Sequence, residues 1–507
     1  MGWSTLLIMC KRKSVIISVI IGVILVTAFV VTPRHLEINS IYAGDSAMWN
    51  HIFEKGDEKP YQFAEKPLGV ILPHHMIVAQ ELAKFYSGLG KVTQPKTVYL
   101  IGPNHYEAGT ANTQSCLSCV YKTTLAGLPD DLTVNTEMVS KLAQAEIATI
   151  ANQSFGIEHA MFAHAPYIKR NFPNAQIVPI ILQWATSVEE ISKLSDWLSD
   201  NVSNDDLVIA SVDFSHYISR EAADFHDLSS FATIINFDFA NIFDLEIDSR
   251  ASIYTLLDFL KKRGHQKAIR FAHTNLQDFM KVRQDRTNSH QFFGFFEGQA
   301  EPIKGVSILS FGNMPADDKL GLIDNWDWDR TYDQAGDTSV LKYLKDIKGE
   351  EDRFLTGSDF NVFDLEEGKC LPREQNGLVV SFCKFVENGV YGENVFGRVE
   401  AAKAAGDFVY LLYQFSGSEL TDSRKRLAQK FVDSGVDVFV GRGIKELVPV
   451  ERYHDGVLMY SLGDFITEDG ESSVGEIVGV YLTEGKIDVY EFLVEVVEGR
   501  PRGGMGM

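Results

Sequence analysis

The chain has 507 residues, 45% of them hydrophobic and 11% aromatic, which is enough apolar surface to close two packed domains. A formal net charge of −22 argues against nucleic acid or an anionic membrane surface as a partner. The acidity is spread along the chain rather than held in a tail, so it serves solubility.

Lys11-Arg12-Lys13 precedes an uncharged, mostly apolar run from Val15 to Val31 that Thr32-Pro33 stops. Such a run approaches the roughly 30 Å hydrocarbon core of a bilayer and exceeds the roughly 7–15 residues of a secretory signal. The expectation is a cytoplasmic basic stub and one transmembrane helix within residues 1–32. The protein would then sit in the cell membrane with both domains outside the cytoplasm. Residues 33–65 read as a linker. In that compartment Cys116 with Cys119, and Cys370 with Cys383, could form disulfides or stay as separate buried thiols.

From Leu68 short apolar runs alternate with helical patterns. Strands are expected at Leu68–Leu72, Thr97–Ile101, Ile177–Leu182 and Leu207–Ser211. Helices are expected at Ala79–Leu89, at Thr136–Ile150 behind an Asn135 cap, and at Val188–Leu198. This is α/β, a mostly parallel sheet covered by helices, and it closes with an edge or final strand at Phe292–Phe296. The first domain spans 66–300 and residues 299–304 form the boundary. A second α/β unit, 305–498, carries strands at Val306–Phe311, Leu378–Phe382, Phe408–Tyr413 and Val436–Val440, and a helix at Arg424–Ser434 ended by Gly435. Residues 499–507, rich in glycine, read as a frayed tail.

Ten of the 13 histidines fall between Leu68 and Gly298. Pro73-His74-His75 and Gly102-Pro103-Asn104-His105 follow two expected strands, and strand ends can bring ligands from distant segments to one point. Glu158-His159, His164 and Asp213-Phe214-Ser215-His216-Tyr217 follow. His75 reads as a wall residue, and His164, His226, His265, His273 and His290 as surface or structural histidines.

These blocks, together with Pro166-Tyr167 and Ile177-Val-Pro-Ile180, resemble the Memo family, also called AmmeMemoRadiSam system protein B, whose fold is related to class III extradiol dioxygenases. In that family the histidines matching His74 and His105 bind metal with a cysteine, and Asp248 stands where the cysteine is expected, with Asp244 as the fallback. The resemblance therefore implies two histidines and a carboxylate, a set suited to iron and dioxygenase-like chemistry, with zinc or copper as alternatives. A hydrolytic zinc site or a non-catalytic metal-binding, envelope-interacting module remain the other readings. His216 is the expected general base, His159 a second pocket residue, and Asp213 either orients the base or closes the pocket wall. The family usually has Ala-Gly-Tyr after Pro-His, where this chain has His75-Met76-Ile77, and a polar stretch where Ala160-Met161-Phe162 stands. The substrate is left open by these departures.

The second unit resembles the CapA capsule-synthesis family, of calcineurin-like metallophosphatase fold, best over Ala428–Gly441, Val448–Tyr453 and Tyr460–Phe465. Its metal-binding turns are replaced by Gly312-Asn313, Gln414-Phe415-Ser416-Gly417 and Gly441-Arg442-Gly443-Ile444-Lys445. A scaffold or binding module without metal ligands is expected there.

Overall fold

The structure, a computed structural model, describes residues 36–38, 46–281, 286–311, 353–356, 361–364, 366–375, 377–389, 395–463, 473–497 and 500–502. Four apolar runs form parallel strands: Gly69–Leu72 (β1), Thr97–Pro103 (β2), Gln176–Leu182 (β3) and Leu207–Ser211 (β4). They lie side by side in the order β1-β4-β2-β3, with Val70 and Leu100 both opposite Ile209. Nearly every residue in them is buried, because helices cover both faces; this is why they read as continuous apolar runs.

Two antiparallel strands extend the sheet beyond β1, His265–Asn275 (β5) and Thr287–Phe296 (β6). Of the two expectations for β6, an edge or a final strand, the edge position is not met: it lies between β5 and β1 and all ten of its residues are buried. The polar, half-exposed β5 takes the outer place.

Among the helices, Ser46–Glu58 (α1) lies within the stretch read as linker. Trp49, Ile52, Phe53 and Gly56 follow helical spacing and are buried, with Trp49 edge-on to Tyr167 at 5.4 Å. Gly56 lets α1 cross Ala79–Leu89 (α2), since a Cβ there would lie 2.6 Å from the Ala83 backbone. Asn135 caps Thr136–Gln144 (α3) by accepting from the Met138 N–H. That helix stops short of Ile150, because Glu146 adopts φ 57° and the chain leaves to pair Thr149–Ile150 with Gln114–Ser115. Val188–Asn201 (α4) opens with a Ser187/Glu190 capping box. Arg220–Asn236 (α5) and Arg250–Lys262 (α6) complete the covering.

The second domain is two stacked sheets with helices on one side. One sheet holds Gly305–Phe311 (β7), Ser473–Thr483 (β12) and Lys486–Val497 (β13); the other holds Leu378–Val386 (β8), Phe408–Gln414 (β9), Val438–Arg442 (β10) and Gly456–Met459 (β11). Val306, Ile308, Val478 and Val480 pack from the first against Phe382, Tyr410 and Val440 of the second. The opposite face of the second sheet, with Leu411 and Phe439, packs on Phe431 of Asp422–Asp433 (α7). Arg500–Arg502 adds a strand against Glu495–Val497, so ordered pairing continues into the stretch read as a tail. Phe225 of α5 meets Gly479 and lies tilted against Tyr490, ring centroids 5.7 Å apart, joining the domains.

Cys370 and Cys383 face one another across neighbouring strands, Cα atoms 4.0 Å apart, and are bridged; Cys116 and Cys119 are bridged within their turn. Among the described residues no helix is long and apolar enough to cross a membrane. This corrects the single-pass membrane localisation expected from the sequence: the described helices supply no span, and Val15–Val31 lies outside the described residues.

Candidate metal centre

Because β1, β4 and β2 are parallel neighbours, their C-terminal ends share one edge of the sheet. His74 follows β1, His105 follows β2, and Ser211 ends β4 with Asp213 just beyond. Asp248 comes from the turn before α6, held by its N–H on the Asp213 carbonyl at 3.2 Å. Glu158 caps the one-turn helix His159–Phe162 by accepting from the Ala160 N–H.

Three donor atoms converge. Asp248 Oδ2 lies 3.1 Å from His74 Nε2 and 3.5 Å from His105 Nε2. Both Asp248 oxygens are buried and neither is in hydrogen-bonding geometry. The outer nitrogens of the imidazoles are committed elsewhere. His105 Nδ1 donates to Glu158 Oε1 at 2.7 Å, and Glu158 Oε2 takes the His105 backbone N–H at 2.9 Å. His74 Nδ1 contacts Ser211 Oγ at 3.0 Å. Two imidazole Nε2 atoms and a carboxylate oxygen therefore meet in a buried place, where either protons on the rings or a bound cation can balance the carboxylate. Donors held about 2.1 Å from one ion are about 3.0–3.4 Å apart, close to the two Asp248 separations; the sets here whose ligand atoms all lie within 4.8 Å of one another are His74 with Asp213 and Asp248, and His74 with His105 and His159. The residues fit a metal, and their outer hydrogen bonds are those that ligating histidines use to fix ring orientation.

The same crowding governs protonation. For His105 burial pulls the pKa down, but the Asp248 and Glu158 carboxylates more than reverse this and raise it to about 10. His74 moves up as well: burial opposes, and Asp213 and Asp248 prevail. Burial raises the Asp248 and Asp213 carboxyls, and His74 outweighs it, so both end lowered.

The remaining predicted residues are placed as follows. His159 stacks on His105 with centroids 4.1 Å apart and shares with His74 and His105 a set of nitrogens within 4.8 Å of one another. Burial, then the charges of His74 and His105, lower its pKa to about 4, which leaves it a neutral imidazole. Asp213 accepts the His74 backbone N–H at 3.0 Å and lies 3.5 Å from His74 Nε2. His216 is outside the converging set; its charge acts on Asp213, His75 and His290. Asp244 is exposed and belongs to no ligand group. His164, read as surface or structural, is fully buried and contacts Ser211 Oγ at 3.1 Å. Glu158 was visible only as part of a sequence block; nothing in its spacing announced its three hydrogen bonds to this site. A separate group, Asp224, Asp227 and His273, is dominated by the Asp227–His273 pair at 2.6 Å.

Residues 40–286 match the family model described as Memo-like protein, and residues 345–469 match that of the bacterial capsule synthesis protein PGA_cap. The chain joins a Memo-like domain to a PGA_cap domain. The Memo-like part is similar to a MEMO1 family protein of Caldivirga maquilingensis, 28% identical over 210 residues, which are 39% of this chain and 72% of the relative. A MEMO1 family protein of Pyrobaculum arsenaticum is 26% identical over 227 residues, 43% of this chain and 79% of that one. An uncharacterized protein of known structure from Escherichia coli K12 aligns with 44% of this chain and 98% of its own at 11% identity, with a TM-score of 0.30. All the ligand groups found among the described residues lie in the Memo-like domain. In the PGA_cap domain Arg442 is buried at the end of β10 and acts on Tyr410, while Gly312-Asn313 falls outside the described residues.

Proposed function

We propose that the Memo-like domain is a mononuclear metal centre held by His74, His105 and Asp248, and that with ferrous iron it performs oxygen-dependent chemistry on a small organic substrate. What supports this reading is the convergence of two imidazole Nε2 atoms on an Asp248 carboxylate that has no hydrogen bond of its own. Ferrous iron in such a set supplies open coordination positions and a redox couple for oxygen chemistry. The chain's own residues do the rest. Glu158 and Ser211 keep the rings oriented, and Asp213 locks the His74 backbone. His159, neutral and beside the ligands, accepts or returns a proton of the substrate. The PGA_cap domain acts as a scaffold that binds rather than reacts.

A second reading has one observation in its favour. His159 makes a three-histidine set with His74 and His105, which suits zinc and hydrolysis. Metal analysis of the full chain purified anaerobically, beside His74→Ala, Asp248→Ala and His159→Ala, separates the two. The iron reading expects about one iron per chain, lost in the first two variants and kept in the third, with oxygen uptake. Zinc lost on removal of His159 and kept without Asp248 would move the centre to the second reading. No metal in any preparation would remove both.

A further inference from the structure

A cavity of about 330 Å³ opens beside the metal centre, with His105 and Asp248 in its wall. That volume is in the range that holds a small organic ligand. The lining away from the ligands holds neutral polar groups, the acid Glu107, large apolar side chains and one cation. Trp184 and Phe243 are the apolar pair, and Trp184 is 65% exposed. Arg250 is the cation, and its guanidinium lies 4.4 Å from the centroid of the Trp184 ring.

Arg250 is fixed but not used up. Its Nε donates to the Leu245 carbonyl at 2.7 Å, which sets the plane of the group. Among the described residues no carboxylate lies within ion-pair distance of it, and its two terminal nitrogens have no hydrogen bond. A guanidinium tethered through Nε and stacked on an indole presents both terminal N–H groups as a ready fork, the geometry that matches a carboxylate. Arg250 also opens helix α6, whose dipole adds positive potential at the same spot. The backbone that carries the indole is held as well. Glu107 accepts the Trp184 backbone N–H at 2.8 Å, and does so from a left-handed conformation, φ 45°. That bond engages the one other acid in the wall beyond the metal ligands. The chain's net charge of −22 is spread over its surface, and salt screens it within about 8–10 Å, so the nearby guanidinium decides what enters.

We propose that this cavity binds a small organic acid, its carboxylate forked onto Arg250, its apolar body against Trp184 and Phe243, and its far end turned to the metal centre. The last clause rests on the metal reading above; the carboxylate subsite does not.

Benzoate and its neutral isostere benzamide are suitable probes, titrated calorimetrically into the full chain before and after chelator treatment. Metal content is recorded for each sample. Benzoate should bind more tightly than benzamide, and Arg250→Met should weaken benzoate about 10–100-fold while leaving benzamide unchanged. Arg250→Lys keeps the charge without the fork and should fall between. Trp184→Ala should weaken both probes. Equal binding of the two probes, no binding of either, or benzoate binding indifferent to both Arg250 substitutions would overturn the proposal. Arg250-dependent benzoate binding in protein that takes up no metal would uphold the subsite and remove the metal reading. Intact metal content without Arg250 dependence would do the reverse.

Discussion

His74 and His164 share one acceptor, the hydroxyl of Ser211, at 3.0 and 3.1 Å. The Ser211 hydrogen is already assigned, because Oγ lies 2.8 Å from the Ala160 carbonyl, which can only accept. Both imidazoles must therefore donate to Ser211. His74 then carries its proton on Nδ1 and turns a bare Nε2 to the centre. His164 carries its proton on Nε2 and accepts from the Tyr86 hydroxyl at 3.0 Å through Nδ1. Burial keeps His164 neutral by lowering its pKa to about 3, as this chain of bonds requires.

Ser211→Ala should therefore act on the metal without touching a ligand. It frees His74 to take the other tautomer and leaves the buried His164 N–H without a partner. Metal affinity should fall about 10–100-fold, as for other lost outer-sphere partners. Stability should fall by about 1–3 kcal/mol. Competition with a chromophoric chelator reads the first and urea unfolding the second. A drop in stability alone would mean that Ser211 only fills space.

Glu158→Gln is the matching change on the other imidazole. Glu158 accepts from three N–H groups: His105 Nδ1, the His105 backbone and the Ala160 backbone. A carboxamide can turn only one oxygen to these donors, and its NH2 would face the hydrogen of the remaining one. Metal affinity should fall about 10–100-fold with all three ligands in place. Full affinity in this variant would show that His105 needs no partner at Nδ1.

Protons and metal compete for the same atoms, which fixes a pH dependence. In the metal-free site the pKa of His105 is raised to about 10 and that of His74 is also raised. Near neutral pH the His105 ring is protonated, and an ion must displace that proton. Apparent affinity should rise with pH, about tenfold per unit for each proton displaced, and level off near pH 10. The metal-free protein should behave oppositely. A raised folded pKa stabilises fully below the unfolded value near 6.5 and is lost as pH rises through about 10. Binding isotherms and urea midpoints taken across pH 6–10 should therefore slope in opposite directions. Parallel slopes would place the titrating groups elsewhere.

Much of this arrangement was legible in the chain. Val70 to Leu72, Val98 to Ile101 and Val208 to Ala210 are apolar runs too short for helices, and each is followed by a residue that reaches the site. His74, His105 and Asp248 came from resemblance, and the structure brings their donor atoms within 3.1–3.5 Å of the shared Asp248 oxygen. What stayed hidden acts through hydrogen bonds across the fold. Ser211 looks like the end of a strand, His164 like an ordinary histidine, and only their shared contact shows a role. Helix α1 was hidden differently. Its Trp49, Ile52, Phe53 and Gly56 have the right spacing, but charged and polar neighbours such as Asn50, Glu54 and Lys55 masked the stripe. Helix α3 was overextended because an apolar pattern carries no mark of the left-handed turn at Glu146.

The PGA_cap domain allows a test of packing that leaves the metal centre alone. Gly441 sits in β10 opposite Tyr413, and a Cβ there would lie 2.1 Å from the Tyr460 carbonyl oxygen and 2.8 Å from the Phe415 ring. The carbonyl is backbone, so the clash can be relieved only by moving a strand. Gly441→Ala should destabilise the chain by about 1–3 kcal/mol, the usual cost of overpacking. Gly485→Ala is the control. Its φ of 71° is left-handed, but no atom lies within 4 Å of the new Cβ, so only the conformational penalty of about 1 kcal/mol applies. Urea unfolding should rank Gly441→Ala below Gly485→Ala, with metal content equal in both. If the two variants unfold alike, the approach of β10 to Tyr460 is looser than these distances state. If Gly441→Ala also loses its metal, the contact of Phe225 with Gly479 and Tyr490 transmits strain between the domains.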